Sequence, residues 1–390
     1  MIILDKPYVS DFLKETIKKN NFPVLKTDLA IELLGGNDFN LLEPQEVIAE
    51  MKNNNATPIY TPSENTIHWI AKNLDFTPLP EKITFFKNKV RFRELVSSMY
   101  PNFFFKEVAI KDIPTLDVST FPFPFIMKPS VGFFSMGVYK IRNINDWNDV
   151  VTRIEKDMED VKSLYPTEVM DANSFIIEEI IEGEEYAFDT YFTNDGEPVI
   201  VGILQHIFGS DADVSDRVYF TSKKVIEENI ERFSNFITQV GKLAGLKNFP
   251  MHTEIRVTKE GEIIPIEVNP MRFGGWCTSS DLMYHAFKIN AIEYFLKGEK
   301  PNWNEILKNT NDNIYSIVIL DNSTGIASEE ITSFNYAKLE EKFENIHELR
   351  KIDYHEYPVF GFVFAETRTD NFKEIDYLLK SNLKEFVTIK

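Results

Sequence analysis

A β-hairpin past the middle of the chain carries three oxygen ligands. The segment MHTEIRVT, a Lys-Glu-Gly turn and IIPIEVNP predict two antiparallel strands. Because successive side chains of a strand point to opposite faces, Glu267 and Asn269 share one face, and Glu254 can lie opposite them. Two carboxylates packed this closely repel each other unless a cation lies between them. Oxygen ligands without His or Cys suit Mg²⁺, so the hairpin predicts a magnesium site; a solvated face with charges at chance spacing is the alternative.

The charge of the chain limits its partners. Its 390 residues contain 61 Asp and Glu against 42 Lys and Arg, and this net charge of -19 repels nucleic acid and anionic membranes. The single cysteine, Cys277, cannot form an internal disulfide. The N-terminus lacks the features of a signal peptide, and no apolar run reaches the roughly 20 residues of a membrane helix. We therefore expect a soluble, cytoplasmic protein that binds neither nucleic acid nor membranes.

The order of predicted elements divides the chain into three parts. It opens as β-α-β, with MIILD, DFLKETIKKN and PVLKT, which predicts a small parallel α/β domain without a GxGxxG motif. Near residue 85 the character changes to a basic helix, KNKVRFRELVSSM, followed by a mixture of strands and helices. The last ninety residues, with strands YSIVIL and VFGFVFAE, predict a separate α/β appendage. The predicted domains are residues 1–85, 86–300 and 301–390.

Two segments upstream of the hairpin have features that could bind a nucleotide. Lys128 ends an apolar strand and precedes a loop with Gly132, Ser135 and Gly137, where backbone N–H groups can approach phosphates. An ordinary β-turn is the alternative, because the loop matches neither the P-loop nor the Rossmann pattern. The strand SFIIEEII then leaves through the turn EGEE. Its main chain can pair with an adenine edge and its carboxylate with ribose hydroxyls, although acid-rich strand ends are common.

In chain order, Lys89 on a helix, FIMKPSVGFFSMGV, FIIEEIIEGEEYAFD and MHTEIRVTKEGEIIPIEVNPMRFGG resemble the ATP-grasp superfamily, which includes D-alanine:D-alanine ligase, biotin carboxylase and the L-amino-acid ligases. The resemblance covers residues from about 85 to 300. It implies a fold of mixed α/β and α+β class. A Rossmann-like preATP-grasp α/β domain would come first, then a small lobe at about residues 110–185 and a large lobe at about 186–300, which together clasp ATP.

The resemblance also implies roles for individual residues. Two lysines would hold the ATP phosphates, with Lys87 as a rival for the first; the main chain of two hinge residues would bind adenine, and one carboxylate would bind ribose. The implied nucleotide-binding residues are Lys89, Lys128, Ser135, Glu178, Glu179, Ile181 and Glu185. The implied ligands of Mg²⁺, or alternatively Mn²⁺, are Glu254, Glu267 and Asn269. Where several relatives have Arg directly after EVNP, this chain has Met271 and then Arg272.

The implied reaction is phosphoryl transfer from ATP to a small-molecule carboxylate, giving an acyl phosphate that an amine attacks. Arg272 is the predicted catalytic residue, because its planar fork can pair with the carboxylate; a surface arginine on a turn is the alternative. Participation of Arg217, His206 and His252 stays open, as does a homodimer. Trp276 and Cys277 are expected near the substrate pocket, with no partner base to make Cys277 a nucleophile.

Two other functions stay open. One is a bicarbonate-dependent carboxylase, which the missing biotin-carrier segment disfavours. The other is a nucleotide-binding regulatory protein without turnover.

Overall fold

The computed structural model describes residues 1–35, 38–132, 137–162, 171–209 and 215–390. The α-helices are α1 (Asp11–Asn20), α2 (Asp28–Leu34), α3 (Pro44–Asn53), α4 (Ile67–Asn73), α5 (Leu79–Lys87), α6 (Lys89–Val96), α7 (Ile144–Lys162), α8 (Lys223–Ala244), α9 (Thr278–Phe287), α10 (Ala291–Lys297), α11 (Trp303–Lys308), α12 (Tyr336–Glu340) and α13 (Lys373–Lys380). Short 3₁₀ helices cover Glu64–Thr66, Ile110–Thr115, Gly275–Cys277, Ser328–Glu330 and Lys384–Phe386.

The strands form sheets that correspond to successive parts of the chain. They are β1 (Val24–Leu25), β2 (Leu41–Leu42), β3 (Phe105–Ala109), β4 (Phe125–Val131), β5 (Tyr139–Ile141), β6 (Asp171–Glu179), β7 (Glu184–Phe192), β8 (Pro198–Ile207), β9 (Val218–Thr221), β10 (Phe249–Val257), β11 (Ile263–Pro270), β12 (Ile314–Asp321), β13 (Ile331–Phe334), β14 (Ile346–Lys351), β15 (Val359–Thr367) and β16 (Val387–Ile389).

The N-terminal part is a small parallel α/β unit, as the sequence predicts. Strands β1 and β2 pair in parallel, and Ile2 bridges in parallel to Val24 and Tyr60. Helix α1 buries Leu13 and Ile17 against these strands, and the Ser10 side chain caps it by accepting the Leu13 N–H. The predicted first strand, MIILD, is reduced to this bridge at Ile2, but its parallel pairing gives the expected topology.

A four-stranded antiparallel sheet with the order β3-β6-β4-β5 follows. Its core is aromatic and aliphatic, with Phe125 and Phe175 fully buried. Helix α7 buries Trp147 and Ile154 against this core. The sheet carries Lys128 on β4 and Glu178 on β6, so it positions the predicted nucleotide residues.

The largest sheet has eight strands in the order β11-β10-β7-β8-β9-β12-β15-β14. Helix α8 covers one face and buries an apolar stripe that includes Phe233 and Ile237. The hairpin β10-β11 lies at one end of the sheet, where its outer strand has no further neighbour among the described residues. The carboxylates of this hairpin keep partial exposure, with side chains 20% exposed at Glu267 and 27% at Glu254.

The C-terminal residues extend this same sheet. Strand β12 pairs with β9, and β15 joins β12 to β14. Ile317 and Phe362 belong to the main hydrophobic core, whereas Phe360 and Leu378 form a second core below them. The last ninety residues are therefore continuous with the large lobe and do not form the separate appendage that the sequence suggested. Sequence patterning identifies YSIVIL as a strand, but it does not specify that strand's partner.

No helix among the described residues combines the length and the apolar composition that a bilayer crossing needs.

Candidate active site

The hairpin places its two carboxylates directly opposite each other. Glu254 on β10 is the register partner of Glu267 on β11, and His252 is the partner of Asn269. The Asn269 side-chain amide lies 3.4 Å from Glu254 Oε1, so all three predicted metal ligands share one face. A register shift after Glu254 marks a β-bulge, which bends the strand at this point.

This face carries an excess of negative charge. Burial raises the pKa of Glu254 well above its usual range, and the charges of Glu267, Asp216 and Glu185 raise it further. Lys89 lies at the edge of the cluster, with Nζ 3.0 Å from Glu267 Oε2. Among the described residues, Lys89 is thus the direct cationic partner of Glu267, whereas the charges around Glu254 are mainly negative, with Arg272 as a weaker opposing charge.

The donor set of the hairpin fits a hard divalent cation. It consists of two carboxylates and an amide oxygen, the ligands that Mg²⁺ takes together with water. The described residues contain no cluster of three or more His, Cys, Asp or Glu side chains that could hold a metal, so the candidate set is the two carboxylates and the amide alone. Incomplete protein coordination is typical of magnesium that bridges substrate phosphates.

Lys128 belongs to a buried group of three charged side chains, in which Glu178 lies between Lys128 and Arg93. Its Nζ is 2.6 Å from Glu178 Oε1, and Arg93 Nε is 2.7 Å from Glu178 Oε2. Burial disfavours ionisation of Glu178, but the two cations and their hydrogen bonds outweigh it and lower its pKa to about 2. Glu178 therefore acts on Lys128 through its side chain. The group carries one net positive charge, which favours an anion beside it.

The strand end after Glu178 offers main-chain groups for a planar ligand. The N–H of Glu179 donates to the Phe104 carbonyl, and the carbonyl of Ile181 accepts from Arg256 at 2.7 Å. The described residues supply no acceptor for the N–H of Ile181. This buried N–H is thus available to an acceptor such as an adenine ring nitrogen.

Glu185 is fixed by two side chains. His206 Nδ1 lies 2.7 Å from one carboxylate oxygen, and Arg256 donates to the other at 2.9 Å. Burial opposes ionisation of Glu185, but His206 and Arg256 outweigh it and lower the pKa. The His206 ring stacks on Tyr219 with centroids 4.1 Å apart. His206 is therefore a support for Glu185, and Arg256 connects Glu185 to the Ile181 carbonyl.

Arg272 binds a carboxylate from the N-terminal domain. Its Nε and Nη2 donate to Glu64 Oε1 at 3.0 and 2.7 Å, and Lys87 pairs with the other Glu64 oxygen. Burial opposes ionisation of Glu64, but Lys87 and Arg272 lower its pKa to about 2. Lys87 is thus committed to the Arg272 group, whereas Lys89 lies at the hairpin. This difference favours Lys89 over Lys87 as the first phosphate-binding lysine.

Asp189 on β7 organises the hairpin and the turn that follows it. It is 1% exposed and accepts from His252 Nδ1 at 2.7 Å, from the Gly274 N–H at 3.1 Å and from the Ser279 hydroxyl. The other ring nitrogen of His252 lies 3.8 Å from Glu254 Oε1. His252 is therefore a bridge between Asp189 and the candidate metal ligands.

The outcome differs for three residues that the sequence analysis discussed, Ser135, Arg217 and Cys277. Ser135 lies outside the described residues. Arg217 is 4% exposed, forms an ion pair with Asp321 and donates to the carbonyls of Leu378 and Ser381, so it anchors the C-terminal region. None of these contacts supports participation of Arg217 in the nucleotide site, which the sequence had left open. Cys277 is buried, and burial raises the pKa of its thiol to about 12, so it is not a nucleophile.

The sequence analysis does not predict four of the functional candidates: Glu64, Arg93, Asp189 and Arg256. Arg93 carries a local signal, because it lies four residues after Lys89 on the same face of α6. Arg256 follows Glu254 by two residues, which places it on the same face of β10. Glu64 and Asp189 have no such signal, since their partners are distant in the chain.

Comparison with known proteins agrees with this geometry. Residues 121–280 match the family described as the ATP-grasp domain. No curated protein sequence is similar enough to count as a relative.

Solved structures match the whole chain at low sequence identity. The L-amino acid ligase from Bacillus licheniformis has 16% identity and a TM-score of 0.68, covering 100% of this chain and 98% of that chain. N5-carboxyaminoimidazole ribonucleotide synthetase from Thermotoga maritima has 14% identity and a TM-score of 0.62, with coverage of 100% and 98%. Biotin carboxylase from Campylobacter jejuni has 12% identity and a TM-score of 0.60, with coverage of 100% and 92%.

Proposed function

We propose that the protein is an ATP-dependent carboxylate-amine ligase, because residues 121–280 match the ATP-grasp domain family and the whole chain has the ATP-grasp fold. It transfers a phosphoryl group from ATP to the carboxylate of a small molecule, and an amine then attacks the acyl phosphate. The products are an amide, ADP and phosphate. No protein nucleophile takes part, so the residues act by positioning and charge.

One observation carries this proposal, namely the two contacts of Lys89. Its Nζ donates to the Gly132 carbonyl at 3.1 Å and lies 3.0 Å from Glu267. A single buried ammonium therefore joins the small-residue loop after β4 to the ligand face of the hairpin. An ATP triphosphate with its metal needs these two elements side by side.

The nucleotide would be held by groups from both sheets. Lys89 and Lys128 attract the phosphates, and Arg93 balances Glu178 so that the charge of Lys128 is not cancelled. The Ile181 N–H and the Glu179 carbonyl are the main-chain groups for adenine, and Glu185 accepts the ribose hydroxyls. Glu254, Glu267 and Asn269 would hold magnesium. The bound metal neutralises negative charge on the transferred phosphoryl group.

The acid substrate is assigned to the Arg272 side. Arg272, Lys87 and Glu64 together carry one net positive charge, which favours a carboxylate ligand. Arg272 also lies near enough to Glu254 to affect its ionisation, so the acid and the metal ligands are close. We propose that Arg272 binds the carboxylate and then stabilises charge on the acyl phosphate.

The proposal is tested by magnesium-dependent ADP release with pools of amino acids as acid and amine, and separately with bicarbonate. We expect ADP release that depends on both an acid and an amine. Stimulation by bicarbonate without an amine would indicate the carboxylase instead, and ATP binding without any turnover would indicate a regulatory protein.

A substitution at the hairpin tests the metal assignment. Glu267→Gln should lower ADP release at least about a hundredfold at saturating magnesium, because it removes a charge from the cation site while the shape is kept. Glu262→Gln is the matched control, since Glu262 is exposed on the turn of the same hairpin. Equal turnover in the two variants would show that Glu267 does not bind the metal.

A further inference from the structure

The turn after the hairpin has a strained backbone. Met271, Trp276 and Cys277 have φ values of 67°, 59° and 59°, in the left-handed region that residues other than glycine rarely adopt. Trp276 and Cys277 are adjacent, so the strain is concentrated at one corner. Such conformations persist only where surrounding contacts enforce them. The contacts of this corner therefore show what holds the turn in place.

A buried arginine from the C-terminal region holds the corner. Arg350 on β14 donates from Nη1 to the Trp276 carbonyl at 2.6 Å and from Nη2 to Asp281 at 2.7 Å. Its Nε donates to Glu348 at 2.8 Å, so each of its three nitrogens has a partner. The Arg350 side chain is only 1% exposed. Burial with this many fixed partners makes the guanidinium a rigid support.

Aromatic rings complete the enclosure of Arg350. Its guanidinium carbon lies 4.7 Å from the centroid of the Tyr8 ring and 4.8 Å from that of Phe364. The Tyr8 ring in turn stacks on Trp276, with centroids 6.3 Å apart. Arg350 thus contacts the N-terminal domain, the turn after the hairpin and the C-terminal strands at once.

The same turn carries Arg272. Asp189 fixes the turn at the Gly274 N–H, and Arg350 fixes it at the Trp276 carbonyl. Arg272 precedes these two anchor points by two and four residues, so a shift of the corner is transmitted to it over a short distance. No described contact joins Arg350 to Lys89, Lys128 or Glu185, which are assigned to ATP.

We propose that Arg350 is a positioning residue for the acid substrate, which holds the Trp276 corner and thereby keeps Arg272 in its binding conformation. This inference rests on the proposed function, because it takes Arg272 as the carboxylate-binding residue. It gives the C-terminal region a role in the active site: β14 supplies the support of the acid-binding turn.

Kinetics of three variants test this role. Arg350→Lys keeps the charge but loses the planar fork, and we expect the KM for the acid to rise about tenfold or more, with the ATP dissociation constant within about twofold of the parent. Glu348→Gln weakens the hold on Arg350 and should raise the same KM about two- to fivefold. Glu344→Gln is the matched control, because Glu344 pairs with Arg368 at the surface. It should change neither value.

A second measurement does not depend on turnover. In a background with Trp69, Trp147 and Trp303 replaced by Phe, the fluorescence of Trp276 alone reports on the corner. We expect more quenching by acrylamide in Arg350→Lys and Glu348→Gln than in the parent background. This result would show that Arg350 holds the Trp276 corner, so that a failure of any acid to stimulate ADP release would then count against the proposed function and not against this contact.

The inference is overturned by either of two results in variants whose circular dichroism matches that of the parent. One is an unchanged acid KM together with unchanged Trp276 quenching. The other is a loss of ATP affinity in step with the rise in acid KM, which would indicate a general structural effect. If Arg350→Lys does not fold, the same measurements on Glu348→Gln test the inference. This substitution should destabilise the fold less, because the Glu348 side chain is 31% exposed.

Discussion

At the scale of single residues, the site uses one arrangement twice: a buried glutamate between two cations. Glu64 lies between Lys87 and Arg272, and Glu178 lies between Arg93 and Lys128. Each group keeps one net positive charge, and the pKa of each glutamate falls to about 2. A carboxylate whose pKa is lower in the folded than in the unfolded protein stabilises the fold fully at any pH above the unfolded-state pKa. This stabilisation is lost as the pH falls toward the folded-state pKa.

The Glu178 group gives a pH-dependent prediction. Its pKa falls from 4.5 to about 2, so its ionisation contributes about 3 kcal/mol at pH 7. Glu178→Gln should therefore cost about 3 kcal/mol or more at pH 7, and the difference from the parent should shrink as the pH falls below about 4.5. Urea unfolding at several pH values measures it. Glu107→Gln, at an exposed position on β3, should show a small difference at every pH. A constant Glu178→Gln difference across this range would contradict the assignment.

At the scale of elements, the turn between β6 and β7 is packed against the hairpin. Gly183 has a φ of 137°, and a Cβ there would lie 2.2 Å from the Val257 carbonyl oxygen of β10. The obstacle is backbone, so the strand itself would have to move. This contact fixes the main chain near Ile181, which is proposed to bind adenine, relative to β10, which carries Glu254. The spacing between the β6–β7 turn and the hairpin thus depends on a residue without a side chain.

Gly183→Ala should lower the free energy of unfolding by more than about 2 kcal/mol, because alanine disfavours the positive φ and its Cβ would collide with the Val257 backbone. It should also weaken ATP binding, because the turn near Ile181 would shift away from β10. Gly261→Ala is the matched control: its φ is 86°, but nothing lies within 4 Å of its Cβ position. It should cost about 1 kcal/mol from strain alone. Urea unfolding and calorimetric ATP titration provide the comparison, and equal effects of the two changes would refute the close packing.

At the scale of the whole molecule, the C-terminal region completes the central sheet. Strands β12, β15 and β14 continue the sheet beyond β9, and buried Arg217 binds Asp321 and two carbonyls of this region. Arg350 reaches from the same region to the Trp276 corner. The region is therefore needed both for the core and for the active-site turn.

A chain ending at residue 300 should fail to fold, because β9 would lose β12, one of its two neighbours, and Arg217 would lose its partners. Circular dichroism and urea unfolding should show no cooperative transition. Removal of only Ile389 and Lys390, which are exposed, is the control and should leave the transition in place. A cooperative transition and unchanged ATP binding in the shorter chain would support an independent appendage.

The sequence by itself determined the features that depend on near neighbours in the chain. The two-residue period of strands determined the shared face of Glu267 and Asn269, and the order of motifs indicated the ATP-grasp fold. The apolar strand that carries Lys128 was visible in the same way, but β4 does not end at Lys128 and continues to Val131. Local pattern sufficed because strand geometry alone determines these positions.

Only the tertiary structure decided the contacts between distant segments. Glu64 meets Arg272 across 208 residues, Arg93 meets Glu178 across 85, and Arg350 meets Trp276 across 74. It also decided that β12 pairs with β9, so that the C-terminal strands belong to the central sheet. The physical reason is that a buried charge needs a partner in space, and many arrangements of the chain could supply one. The sequence shows which residues carry charge, and the packing of the sheets selects which of them meet.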